Sequence, residues 1–181
     1  MFISSDYIWT VIKNYVPMRT QKEKQEYKLK HGNPYPPGCS VTSGGINFSI
    51  FSRHATSADL LLFATADCED PFQVIHLTKE KNRTFFSWHV FVKDLPPGVW
   101  HCWRLDGPYD PQYRGLRFDR EKQLLDPWAR VVSDRRWRRG AACVPGDNSQ
   151  AAMRCAVVDL SDYDWEGDTP LRISSEKAIV Y

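Results

Sequence analysis

Short apolar segments separated by turn residues occupy the middle of this chain, and they restrict its possible folds more than any other feature. Residues 46–50, 58–64, 72–77, 84–92 and 99–105 are each rich in aliphatic, aromatic or β-branched side chains. Turn sequences such as PPG at 96–98 lie between them. Five strands within about sixty residues leave no room for the helical crossovers that parallel strands need. The sequence therefore predicts an all-β fold, an antiparallel β-sandwich.

Alternation of side chains predicts which faces of the strands are buried. Ile46, Phe48 and Ile50 alternate with Asn47 and Ser49, which is typical of a strand with one buried face. The segment 84–92 likewise places four apolar residues on one face: Phe86, Trp88, Val90 and Val92.

Sequence on either side of these strands predicts less regular structure. Within residues 1–31, the spacing of apolar side chains predicts a short amphipathic helix at 3–16 that ends at Pro17. The charged sequence that follows it is expected to be a linker. The sandwich module is expected over 32–106. Residues 107–168 are expected to form an irregular extension packed on the module, with one helical turn near 120–127, an exposed loop at 133–150 and a last strand at 154–160.

Composition argues against several classes of partner and location. The formal net charge is +2, which gives no general reason to expect a nucleic acid or a membrane as partner. The five cysteines are widely spaced and lack a C-x-x-C pair, so we expect reduced thiols. No apolar run is long enough to span a membrane, and the N-terminus lacks the basic segment of a signal peptide. We therefore expect a cytoplasmic protein, or one of the plastid stroma in a plant or alga.

Histidine spacing predicts neither a metal site nor a cofactor site. The five histidines are scattered and show no pair at ligand spacing. Neither a G-x-S-x-G elbow nor a phosphate-binding loop is present. The RRWRR cluster at 135–139 is interpreted as a solvated loop rather than a phosphate contact, because the chain lacks a wider basic surface.

The run from Gly115 to Asp119 has the G-x-R-x-D pattern that can present a nucleophilic aspartate in a glycosidase. Such an enzyme needs two facing carboxyl groups, about 5–5.5 Å apart when configuration is retained. A nucleophile of this kind also belongs on a (β/α)₈ barrel of about 250 residues. The 181 residues of this chain are fewer and their pattern is all-β, so we expect no catalytic residue here.

Tryptophans offer a second functional hypothesis, since the apolar faces of sugars stack on aromatic rings. Trp88, Trp100 and Trp103 are the candidates for a glycan platform. Strand alternation places Trp100 and Trp103 on opposite faces, so one of them points away from the sandwich core. Either this ring contacts a glycan, or the 107–130 segment or another domain covers it.

Arg104 ends a predicted strand beside several carboxylates. Asp106, Asp110 and Asp126 are possible partners, and bidentate pairing with one of them would organise the irregular segment.

Three segments together resemble the N-terminal part of isoamylase-type glycogen and starch debranching enzymes, members of the α-amylase superfamily. They are GNPYPPGCSVTSGGINFSIFS from residue 32, LPPGVWHCWRLDGPYDPQYRGLRFDREKQLLDPWAR from residue 95, and DYDWEGDTPLR with AIVY towards residue 181. Two departures stand out. The family's Y-x-Y-R corresponds here to His-Cys-Trp-Arg at residues 101–104. The tyrosine of the family's L-L-D-P-Y is replaced here by Trp128. Trp103 and Trp128 keep the aromatic bulk.

The resemblance implies an immunoglobulin-like sandwich, related to glycogen-binding modules, that packs on a catalytic barrel. Asp119 then matches a run before L-L-D-P and not the nucleophile motif, and no catalytic residue of the family has a counterpart. Arg104, Asp106, Asp126 and Trp128 are expected to be structural. Residues 169–181 are expected to be an orphan lead-in to an absent barrel.

The resemblance leaves two functions open. The chain is either the non-catalytic module of an α-1,6-debranching hydrolase, supporting the barrel and positioning α-glucan, or a free-standing glycan-binding module. A docking module should expose a large apolar patch, whereas a free-standing binder should expose a compact tryptophan platform.

Overall fold

The computed structural model describes residues 26–161, 164, 166–169 and 172–177. The helix predicted at 3–16 and the strand-like AIVY tail at 178–181 lie outside the described residues.

The first sheet contains five antiparallel strands. Its order is β1 (Leu29–Lys30), β7 (Ser87–Lys93), β3 (Gly45–Phe51) and β2 (Gly38–Thr42), and β6 (Arg83–Thr84) also pairs with β7. A short helix, α1 (Lys79–Asn82), precedes β6. Because β1 pairs with Val92 and Phe91, the last residues of the predicted charged linker form part of the sheet.

The second sheet also has five antiparallel strands. Its order is β11 (Val131–Ser133), β12 (Arg154–Ala156), β8 (Trp100–Asp106), β4 (Ser57–Phe63) and β5 (Gln73–Leu77). Outside both sheets lie the hairpin of β9 (Tyr109–Asp110) and β10 (Leu116–Arg117), the helix α2 (Arg139–Cys143) and a 3₁₀ helix (Ser175–Lys177). Two strands from the predicted irregular extension thus complete the second sheet.

The two sheets enclose the main hydrophobic core. Its central members include Phe48, Leu60, Trp88, Val90 and Trp103, all fully buried. The antiparallel, all-β, immunoglobulin-like sandwich predicted from the sequence is confirmed. The helical turn predicted near 120–127 is a single hydrogen-bonded turn instead, in which the Lys122 amide donates to the Asp119 carbonyl over 3.0 Å.

Strand β3 differs from the predicted half-buried pattern, because its polar face is buried as well. The segment at 32–34 covers that face. The Asn33 amide donates to Oδ1 of Asn47 over 2.7 Å, and Nδ2 of Asn47 donates to the Asn33 carbonyl over 3.0 Å. The Ser49 hydroxyl donates to the Pro34 carbonyl over 2.8 Å. These hydrogen bonds satisfy the buried polar groups and fix the turn-rich segment on the sheet.

Phe86 also departs from its predicted place on the core face. Strand β7 begins at Ser87, so Phe86 precedes it and remains 40% exposed. The other three residues of that predicted face, Trp88, Val90 and Val92, are buried as expected.

His89 gives the sandwich a dependence on acid pH. Its side chain is fully buried, Nε2 lies 3.0 Å from the Thr84 hydroxyl, and the ring lies 4.9 Å from that of His31. Burial and then the nearby His31 lower the pKa of His89 below its ordinary value. The unfolded chain therefore binds more protons at this position, and stability falls as the pH drops from about 6.5 towards the lower folded pKa.

We therefore expect the His89 imidazole to titrate below about pH 6.5 in an NMR titration of the folded chain. We also expect the urea midpoint to fall less on acidification in His89→Gln than in the wild type, because the variant lacks that titrating group. Titration of His89 at or above its ordinary pKa would show that this ring does not lower the stability of the folded chain at acid pH.

Candidate functional site

The three tryptophans predicted as a glycan platform lie inside the protein. Trp88 and Trp103 have no exposed surface and belong to the core between the sheets, while Trp100 is 8% exposed. Stacking on a sugar requires a free ring face, so these three residues do not form a platform in this structure.

Trp100 is the ring that points away from the sandwich core. It belongs to a second hydrophobic cluster on the outer face of the second sheet, with Leu61, Phe63, Cys102, Val131, Ala156 and Val158. Ala66 and Leu160 pack against this cluster. The apolar cover over Trp100 thus comes from neighbouring strands and the loops beside them. Gln123 of the 107–130 segment also reaches this cluster, where its Oε1 accepts from the Cys102 thiol over 3.4 Å.

Asp126 is the centre of a buried polar network. Its Oδ2 accepts a hydrogen bond from Nε1 of Trp103 over 3.2 Å and lies 3.4 Å from Nε2 of His101. Its Oδ1 accepts from the Trp128 amide over 2.8 Å. Burial raises the pKa of Asp126, but the hydrogen bonds from His101, Trp128 and Trp103 outweigh it and hold that pKa below its ordinary value.

Trp128 connects this network to the start of β2. Its side chain is 44% exposed, yet its Cβ lies so close to Gly38 that a Cβ added there would be 2.8 Å away. Gly38 also has a φ of +87°, a conformation that favours glycine. Asp126 and Trp128 therefore position the turn-rich N-terminal segment against the LLDPW segment.

Asp119, the aspartate of the G-x-R-x-D run, holds two loops together. Its Oδ2 accepts from the Gly146 amide over 2.7 Å, and its Oδ1 accepts from the Glu121 amide over 3.0 Å. These two backbone hydrogen bonds lower the pKa of Asp119. With both oxygens engaged by backbone donors, the carboxylate fastens the loop at 146 to the extension.

A groove lined mostly by polar residues lies on the outer face of the second sheet, beyond the cluster around Trp100. Register places Asp59 of β4 opposite His76 of β5 and Arg104 of β8, so these side chains form a row across three strands. The groove has a volume of about 240 Å³. Its lining comprises Ser57, Asp59, His76, Leu77, Thr78, Arg104, Asp106 and Arg120. No local sequence pattern indicates this groove, because its residues come from three strands and the extension.

The predicted pairing of Arg104 is wrong. Among the described residues its guanidinium makes neither a hydrogen bond nor an ion pair, and its Nε is buried without an acceptor. The three proposed partners are engaged elsewhere. Asp110 accepts from Nε of Arg114 over 2.6 Å, Asp126 binds Trp103, and Oδ1 of Asp106 accepts from the Gly107 amide over 2.8 Å.

A small aromatic and basic cluster is exposed near the end of β3. The rings of Phe51 and Phe86 meet edge to face with centroids 6.1 Å apart. The guanidinium groups of Arg53 and Arg83 lie 5.6 Å and 5.8 Å from the Phe86 centroid. The sequence offered one signal for this cluster, since Phe86 belongs to the FF pair that precedes β7.

The remaining reactive side chains are embedded or scattered. Burial raises the pKa of Cys39 to about 11 and that of Cys102 to about 12, so both thiols stay protonated.

Within the described residues, no group of three or more histidine, cysteine, aspartate or glutamate side chains is placed to hold a metal ion. The helices described are all too short or too polar to cross a membrane.

Two antiparallel sheets packed face to face define the chain as an immunoglobulin-like β-sandwich module. Residues 36–129 match the model of carbohydrate-binding module 48, the isoamylase N-terminal domain. The chain belongs to this family, which confirms the resemblance to debranching enzymes.

Curated relatives are much longer than this chain. A glycogen debranching enzyme of Yersinia pseudotuberculosis serotype IB is 35% identical over 158 residues, which cover 84% of this chain and 23% of that enzyme. Isoamylase 1, chloroplastic, of Arabidopsis thaliana is 30% identical over 162 residues, which cover 88% of this chain and 20% of that protein. The chain thus spans less than a quarter of the length of these relatives.

Solved structures support the fold. A glycogen-degrading pneumococcal virulence factor, SpuA, aligns with 77% of this chain and 13% of its own at a TM-score of 0.53 and 13% identity. The apo pullulanase of Paenibacillus barengoltzii aligns with 77% of this chain and 18% of its own at a TM-score of 0.51 and 17% identity. At these identities the likeness concerns the fold alone.

Proposed function

We propose that this chain is the non-catalytic module of an isoamylase-type debranching enzyme, which supports the catalytic barrel and positions α-glucan. The observation that carries the proposal is the family match over residues 36–129. It is supported by relatives that are glycogen debranching enzymes and an isoamylase. In such an enzyme the α-1,6 bond is hydrolysed by the barrel, and this module contributes binding and orientation.

The position of Asp119 supports a non-catalytic role for the chain. A glycosidase acid or nucleophile must face the scissile bond with its partner carboxyl across it. Asp119 instead binds backbone amides of Gly146 and Glu121 with its two oxygens. Its lowered pKa keeps the carboxylate ionised, which argues against a general acid. The engagement of both oxygens by backbone amides is what argues against a nucleophile.

The exposed cluster of Phe51, Phe86, Arg53 and Arg83 is smaller and more basic than the large apolar patch expected of a docking module, so it does not decide between the two functions. The three tryptophans considered for a sugar platform are buried, so the feature expected of a free-standing binder is not formed by them.

Incubation of the purified 181-residue chain with glycogen or amylopectin tests the non-catalytic role. We expect no release of reducing ends above that of the buffer, because Asp119 is anchored by backbone donors. An isoamylase assayed in parallel provides the positive control. Release by the chain that is abolished in Asp119→Asn would contradict the proposal and restore Asp119 as a nucleophile.

A further inference from the structure

The groove on the second sheet presents donors and acceptors that the protein engages only in part. The guanidinium of Arg104 makes no hydrogen bond to the described residues, and its Nε is buried, although Asp147 lies close enough to interact with its charge. Arg120 is exposed and also makes no hydrogen bond to the described residues. Oδ2 of Asp106 accepts no hydrogen bond from the described residues, since only its Oδ1 is engaged. A buried or half-buried polar group without a partner costs free energy unless water or a ligand satisfies it.

We propose that this groove binds one sugar ring of an α-glucan through its neighbouring hydroxyl groups. A vicinal diol accepts hydrogen bonds from a guanidinium and donates hydrogen bonds to a carboxylate at the same time. Arg104 and Arg120 are the donors in this assignment, and Asp59 and Asp106 are the acceptors. The inference rests on the proposed function, because it gives the glucan of that function a place on this chain.

The charge of the lining favours a neutral polyol over an anion. Two arginines and two aspartates share the groove, so their formal charges cancel. A phosphate would gain from Arg104 and Arg120 but would be repelled by Asp59 and Asp106. The Ser57 and Thr78 hydroxyls both donate and accept, which also suits a polyhydroxylated ring.

The dimensions of the groove limit the ligand to a small group. Its volume of about 240 Å³ is below the ~300–1,000 Å³ of pockets that hold drug-sized ligands. Its lining contains no phenylalanine, tyrosine or tryptophan, so hydrogen bonds to charged side chains must orient the ring. We therefore expect binding in the millimolar range for a short oligosaccharide.

His76 holds one acceptor of the groove in place. Its Nδ1 lies 2.8 Å from Oδ1 of Asp59, and its side chain is 76% exposed. This contact occupies one oxygen of Asp59 and leaves the other for a ligand hydroxyl.

An amide NMR titration of the chain with maltotriose tests the site. We expect saturable shifts at the backbone amides of Ser57, Asp59 and Thr78. Arg120→Gln and Asp59→Asn should each raise the dissociation constant at least about fivefold, because each removes a charged hydrogen-bonding group. Arg117→Gln changes an exposed arginine outside the groove lining and should leave the constant unchanged. Unaltered spectra elsewhere will show that each variant is folded.

The outcomes separate this inference from the proposed function. Maltotriose shifts that map outside the groove and survive both groove substitutions would overturn the inference and leave the function standing. Stronger shifts with inorganic phosphate than with maltotriose would overturn the assignment to a neutral sugar. The absence of shifts with maltotriose, together with no retention by glycogen, would contradict both the groove and the glucan-binding function.

Discussion

Replacing Asp126 with alanine is expected to lower the free energy of unfolding by about 3–5 kcal/mol. The substitution removes the acceptor for three groups inside the protein: Nε1 of Trp103, Nε2 of His101 and the Trp128 amide. His101 and Asp126 are each only 1% exposed, so water cannot replace the lost partner without rearrangement. Urea unfolding followed by tryptophan fluorescence measures the change.

Two further variants distinguish the loss of the Asp126 hydrogen-bond network from the general effect of removing an aspartate. Asp126→Asn keeps one oxygen acceptor and is expected to cost less than the alanine variant. Asp134→Ala removes an exposed aspartate and should change the stability by no more than about 0.5 kcal/mol. A loss below about 1 kcal/mol in Asp126→Ala would show that the network does not hold the extension to the sandwich.

The depressed pKa of Asp126 adds a pH dependence with a defined sign. Its folded pKa lies below the ordinary value of an aspartate, about 3.9. The contribution to stability is therefore complete above that ordinary value and is lost as the pH falls through the folded pKa. Asp126→Asn should accordingly show a smaller loss of stability than the wild type in that acid range.

Trp88→Ala is expected to destabilise the chain by about 3–5 kcal/mol, the usual cost of removing a buried tryptophan. Trp88 is fully buried between the sheets, its Nε1 donates to the Ser52 carbonyl over 3.4 Å, and the Arg83 guanidinium lies 5.2 Å from its ring. Alanine would leave a cavity in the core cluster, next to its cross-strand neighbour Ile50, which the closely packed interior cannot fill without rearrangement. Calorimetric or urea unfolding measures the loss.

Trp137→Ala is the matched control for Trp88→Ala. Trp137 is 41% exposed and lies just before α2, so its removal should cost far less. The comparison also tests the two roles considered for Trp88. Normal stability in Trp88→Ala combined with a selective loss of glucan binding would contradict the core assignment and restore the platform hypothesis.

The sequence predicted the sandwich because its main strands carry strong local patterns. The apolar run at 58–64 and the alternation of Ile46, Phe48 and Ile50 both indicate strands that need no knowledge of their partners. The burial of Asn47 and Ser49 was not predictable from that alternation. It depends on a segment at 32–34 that crosses the polar face, and such contacts are set by the tertiary structure.

The candidate site was harder to predict for a related reason. Strand alternation already placed Trp100 on the face opposite Trp103, but it could not show what covers the outer ring. The sequence predicts pairing of Arg104 with Asp106, Asp110 or Asp126, whereas the carboxylate opposite it in register is Asp59 of β4. Register between β4, β5 and β8 decides which charges share the groove, and no local pattern specifies that register.

Native electrophoresis of the 181-residue chain in gels with and without glycogen tests the central claim, that this module binds α-glucan without catalysis. The account predicts that glycogen retards the wild-type chain, that Arg117→Gln is retarded equally, and that the glycogen recovered from the gel has gained no reducing ends. Equal mobility with and without glycogen would contradict the account, as would retardation accompanied by new reducing ends that Asp119→Asn abolishes.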